Sequence, residues 1–61
     1  MPSDELENVA KAAAEILGAD RYTINDGSEP TVTFYFGGFT VEKRGDEVGA
    51  IVIEDFLSEL G

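Results

Sequence analysis

The residues on either side of Gly37-Gly38 constrain the fold more than any other part of the chain. Before the glycines, Thr31 to Phe36 alternates, with Val32, Phe34 and Phe36 on one side and Thr31, Thr33 and Tyr35 on the other. A period of two in β-branched and aromatic residues predicts a half-buried strand. The alternation resumes at Phe39-Thr40-Val41-Glu42 and runs out at Lys43-Arg44. Paired glycines between two such runs predict a type I′ hairpin turn, whose two central positions require the positive φ that glycine adopts without steric cost. Register follows from that turn: Phe36 faces Phe39, Phe34 faces Val41, Tyr35 faces Thr40 and Thr33 faces Glu42. The large apolar groups then share one face, which other elements must cover.

Two helices are the predicted cover. From Ser3 to Leu17, apolar residues fall at Leu6, Val9, Ala10, Ala13, Ile16 and Leu17, the spacing of one helical face. Ser3 is placed to cap the first amides, Asp4 and Glu5 sit at the positive end of the dipole, and Gly18 offers a left-handed stop. Asp4, Glu7, Asn8, Lys11 and Glu15 form the opposite face, and Lys11 lies four residues from both Glu7 and Glu15, close enough to neutralise part of the charge. Arg21 to Asn25 alternates as a further strand, and Asp26-Gly27-Ser28-Glu29-Pro30 breaks the pattern with turn residues. Gly45-Asp46-Glu47 reads as another turn.

Val48 to Leu60 admits two readings. Val52, Ile53, Phe56, Leu57 and Leu60 fit a helical stripe, which leaves Ile51 on the polar side with Glu54, Asp55, Ser58 and Glu59. The alternative is a fourth strand over 48–53 followed by a short helix, because Ile51-Val52-Ile53 is β-branched. The helix is favoured. The expected fold is a single α+β domain over 1–61: helix, three-stranded antiparallel meander, helix, with both helices on the Phe34 face. Its expected core is Leu6, Val9, Ala13, Ile16, Leu17, Tyr22, Ile24, Val32, Phe34, Phe36, Phe39, Val41, Ile53, Phe56, Leu57 and Leu60.

Composition limits what such a domain can do. A chain of 61 residues buries only about 60% of its unfolded surface, so the core is thin. With neither cysteine nor histidine, it has no disulfide staple and none of the usual zinc ligands. Nucleophilic catalysis loses its usual base. Ser3, Ser28 and Ser58 read as a cap, a turn residue and a solvated helix position, and no cleft is evident, so no catalytic residue, cofactor or metal is expected. The turns at Asp26 to Glu29 and Asp46-Glu47 lack the ligand spacing of a calcium loop and read as hydrophilic turns. Met1 to Glu5 lacks the basic and apolar regions of a secretory signal, and the longest apolar run, Ala50 to Ile53, cannot span a bilayer. A soluble protein of the reducing cytoplasm is expected.

Thirteen acidic residues against four basic ones leave a net charge of −9. Magnitudes of roughly 2–8 suffice for solubility, so the excess invites a further explanation. Anionic lipid and nucleic acid phosphates would repel such a surface, which excludes direct binding to either. Arg21, Lys43 and Arg44 are too few for a nucleic-acid-binding stripe and read as local partners for Asp20, Glu42 or Glu47. Three explanations compete: carboxylates presented to a basic nucleic-acid-binding groove, adaptation to high salt, or an ordinary interaction domain with a solvated acidic face, as monomer or homodimer. Carboxylates at i and i+4 on a helix lie about 5–6 Å apart, a spacing that can stand in for a short run of phosphates. The residues assigned to partner binding are Glu54, Asp55 and Glu59, then Asp46 and Glu47, then Asp4, Glu5 and Glu7, with Tyr35 as an exposed aromatic anchor on the outer sheet face. In size, acidity and α/β make-up over the whole chain, with no shared motif, the protein resembles phage-encoded nucleic-acid mimics that inhibit restriction or CRISPR effectors. The resemblance implies an inhibitor whose partner is a basic nucleic-acid-binding protein.

Overall fold

A computed structural model describes the backbone of residues 2–61 and the side chains of residues 5–61. Helix α1 spans Pro2–Leu17, strands β1, β2 and β3 span Arg21–Asn25, Thr31–Tyr35 and Thr40–Arg44, and helix α2 spans Gly45–Leu60. The sheet is antiparallel in the order β1-β2-β3, and both helices pack on the face that carries Val32 and Phe34. This is the α+β meander expected from the sequence. The caps expected at Ser3 and Asp4 involve side chains outside the described residues.

Strand pairing matches the alternation. Phe34 stands between Tyr22 and Val41, Tyr35 opposes Thr40, and Thr33 opposes Glu42. Phe36 N–H donates to the Phe39 carbonyl at 2.8 Å, and the two rings stack with centroids 4.8 Å apart. The turn type differs from expectation. Gly37 and Gly38 do not take positive φ, which among the described residues occurs only at Gly18, at 78°. Alternation selects the partners across a hairpin, and glycine accepts more than one backbone path between them.

Gly18 ends α1 in a Schellman motif: Ala19 N–H donates to the Ala14 carbonyl at 2.9 Å and Gly18 N–H to the Glu15 carbonyl at 3.3 Å. The short link brings the chain into β1 pointing back along the helix. Because β3 is antiparallel to β2 and α2 leaves β3 without a loop, both helices start at the end of the sheet that carries the β1–β2 loop. At that end, Gly45 N–H donates to the Pro30 carbonyl at 3.0 Å, and Leu6 of α1 packs beside Gly45.

The core is smaller than expected. Ala10, Ala13, Ala14, Val32, Phe34 and Val48 are buried, and Leu6, Val9, Tyr22, Ile24, Ile51 and Val52 are among the half-buried residues packed against them. Phe36 and Val41 are half-buried as well. Seven large residues remain exposed, Ile16, Leu17, Phe39, Ile53, Phe56, Leu57 and Leu60, all of which the sequence pattern assigned to the core. The correction follows from how α2 is attached. Gly45-Asp46-Glu47 is the first turn of the helix and not a free turn, so the helix inherits its rotation from β3. Val48 enters the core, and the residues three, four and seven positions later, Ile51, Val52 and Asp55, turn the same way. At 3.6 residues per turn, the stripe of Ile53, Phe56, Leu57 and Leu60 lies about 140° round the helix. Ile51 is thus a core residue and not a polar-face one, and residues 48–53 are helix and not a fourth strand.

Candidate functional site

The shared starting end of the helices determines where several of the charges collect. At the end where both begin, an open cleft of about 760 Å³ lies between the first turns of α1 and α2 and the β1–β2 loop. Such a cleft was not expected from the sequence. Leu6, Val9 and Pro30 contribute its apolar wall, and Glu5, Asp26, Glu29 and Asp46 surround it, with Arg44 as the one basic lining residue. Each of these acids is exposed. Among the described residues, no group of three or more carboxylates is close enough to hold a metal ion. The acids are spread round the opening instead of converging on a point.

Two of them also serve the fold. The Glu47 carboxylate accepts the Arg44 N–H at 3.1 Å and lies 3.7 Å from the Arg44 Nε, and the Asp46 carboxylate accepts the Glu47 N–H at 2.9 Å. Both acids sit in the first turn of α2, where amides lack intrahelical partners and the dipole is positive. The acids of the β1–β2 loop and of the first turn of α1 meet the same field. Part of the net charge of −9 is therefore an answer to two helix N-termini brought side by side.

The remaining assigned acids are not gathered in one row. Glu54 and Glu59 are exposed, whereas Asp55 is half-buried on the side of α2 that turns toward the core. Glu7 is exposed on α1. Asp4 lies outside the residues whose side chains are described.

The basic residues also depart from their expected partners. Among the described residues, the pair within 4 Å is Arg44 with Glu47, so Lys11 does not contact Glu7 or Glu15. Arg21 lies over the Tyr35 ring, 4.4 Å from its centroid, and not against Asp20. Tyr35 is accordingly half-buried and not an open anchor, and its hydroxyl lies 3.5 Å from the Thr23 hydroxyl. Glu42 accepts from the Thr31 hydroxyl at 3.4 Å. Lys43 is half-buried opposite Val32 on the helix-facing side of β3, where its aliphatic stem can lie along apolar surface.

Sequence reasoning missed Asp26 and Glu29 as site residues. Their only local signal is that of a turn, but the antiparallel topology already implied that the β1–β2 loop and both helix starts meet at one end. Among the described residues, no helix is long and apolar enough to cross a membrane. Comparison of the chain with protein-family models, with curated proteins and with solved structures gives no match in any of the three.

Proposed function

We propose that the protein is an acidic binding module that occupies the nucleic-acid-binding surface of a basic partner, as inhibitors of restriction or CRISPR effectors do. The observation that supports this most is the cleft. Glu5, Asp26, Glu29 and Asp46 come from α1, the β1–β2 loop and α2, and they border an apolar wall of Leu6, Val9 and Pro30. A lysine or arginine has the matching division, an aliphatic stem with a charged head. Partner side chains already arranged to hold phosphates would lay their stems on the wall and donate charge-assisted hydrogen bonds to the surrounding carboxylates. Spread carboxylates suit several such cations better than one metal ion. Binding requires no catalytic group, cofactor or bound metal from this chain.

The test is competition. The protein is titrated into restriction and CRISPR effectors bound to labelled duplex DNA, at low and at raised salt. Displacement of the duplex, weakened by salt and by the double change Asp26→Lys with Glu29→Lys, is the expected result. A stable complex that leaves DNA binding intact rules out occupation of the nucleic-acid surface. Glu54→Lys with Glu59→Lys serves as the comparison, because those acids do not line the cleft and should matter less.

A further inference from the structure

The outer face of the two-helix layer has no cover. On α2, Ile53, Phe56, Leu57 and Leu60 are 59–69% exposed, and Ile16 and Leu17 near the end of α1 are about 40% exposed. Exposure of this kind is uncommon for large apolar side chains that lie together. With about 200 Å² of surface per large side chain, these six expose on the order of 650 Å². The largest apolar patch on a typical monomer is roughly 300–600 Å², whereas a stable interface takes roughly 800 Å² from each partner. The chain's own core, meanwhile, has three alanines, two valines and one phenylalanine as its buried members. A domain that leaves seven large apolar side chains exposed and buries three alanines inside is short of apolar burial.

We propose that the occupant of this face is a second copy of the chain, packed helix layer to helix layer about a two-fold axis. Gly49 supports the assignment. It belongs to the same stripe as Ile53 and Phe56, and a Cβ built on it meets nothing within 4 Å. It therefore leaves a notch two helical turns before Phe56. In an isologous contact, residue i meets j while j meets i. Crossing the two α2 helices in opposite directions sets Phe56 over the partner's Gly49, and the reciprocal pair forms across the axis, with Ile53 close to it. The arrangement buries the large side chains that the monomer leaves in water. Glu54 borders the contact, so two chains of charge −9 repel as they meet, and salt should strengthen the dimer by screening that repulsion.

The inference stands apart from the proposed function, and salt separates the two. Capture of a basic partner weakens as salt rises, while self-association tightens. Molar mass by sedimentation equilibrium, from about 1 to 200 μM and in about 0.1 and 1 M salt, should show a dimer favoured at the higher salt. Phe56→Glu should weaken it at least about 30-fold, as expected for removal of a central anchor. Gly49→Leu fills the notch with a residue that favours helix, so it should weaken the dimer while leaving the monomer folded. Thr40→Glu, on the outer sheet face, should leave it unchanged. If Phe56→Glu fails to fold, the wild-type mass and a melting temperature that rises with protein concentration decide the matter. A wild-type monomer at every concentration and in both salts overturns the proposal. So does a dimer that survives both Phe56→Glu and Gly49→Leu, or one that Thr40→Glu disrupts.

Discussion

The two ends of the helix pair solve opposite problems. Where α1 and α2 begin, unpaired amides and two positive dipole ends meet a dense set of carboxylates, and Glu47 and Asp46 accept backbone hydrogen bonds there. Where they finish, neither helix has a basic residue in its last turn, so the negative dipole ends are not complemented from within the helices. Glu59 adds to that charge. Large apolar residues lie exposed beside it. The first end answers part of its charge within the monomer and presents the rest round the cleft, while the second leaves apolar surface and negative potential exposed. Acidity in this protein thus has two meanings, one structural and one available for recognition, and sequence position alone does not separate them.

The comparison can be broken most directly by making one deletion in two places. Phe34 is fully buried between Tyr22 and Val41, so Phe34→Ala should cost about 3–5 kcal/mol in urea denaturation and leave little folded protein. Phe56→Ala removes the same atoms from the exposed stripe and should change the stability of the dilute monomer by less than about 1 kcal/mol. Equal costs would mean that the stripe belongs to the monomer core after all.

A smaller effect should come from the link between α1 and the sheet. Gly18 holds φ at 78° in open space, so Gly18→Ala strains the backbone without a clash. The expected cost is about 1–2 kcal/mol, measured by thermal or chemical denaturation. Gly37→Ala lacks the positive-φ penalty and should cost less; a reversal of that order would restore the I′ turn.

The smallest effect sharpens the electrostatic side. Glu47→Ala removes the acceptor for the Arg44 N–H and a negative charge from a positive helix end, and should lose about 0.5–1 kcal/mol in a thermal melt. Glu54→Ala removes an exposed acid without a described ion-pair partner and should be neutral or slightly stabilising. Raising the salt should narrow the gap between the two. Cooperative melting of the wild type in dilute buffer would also count against salt adaptation as the reason for the acidity.

How far the sequence could be read depended on how local the information was. Strand register around Phe34 was legible because side chains alternate strictly along a strand, and a slip by one residue would turn Val32, Phe34 and Val41 outward. The existence of both helices was legible for the same reason, from a period of 3.6. The burial of Ala14 was not, because small residues give a weak apolar signal even where close helix packing needs them. The acids at the cleft were legible singly but not as a set, since Asp26 and Glu29 belong to a turn and Glu5 and Asp46 to helices far apart in the chain.

By itself the sequence determined the first helix and the pairing of the three strands, which follow from short-range periodicity and backbone stereochemistry, and it left residues 48–53 open between helix and strand. The tertiary structure alone decided the rotation of α2. That helix has apolar residues on two sides, Val48, Ile51 and Val52 on one and Ile53, Phe56, Leu57 and Leu60 on the other, so its pattern permits either to face inward. Attachment to β3 without a loop chooses the first. The choice turns Asp55 toward the core and Phe56 toward water, and the attachment of α2 at the end of β3 brings Asp46 beside Glu5, Asp26 and Glu29, because the covalent connection fixes where the helix begins on the sheet.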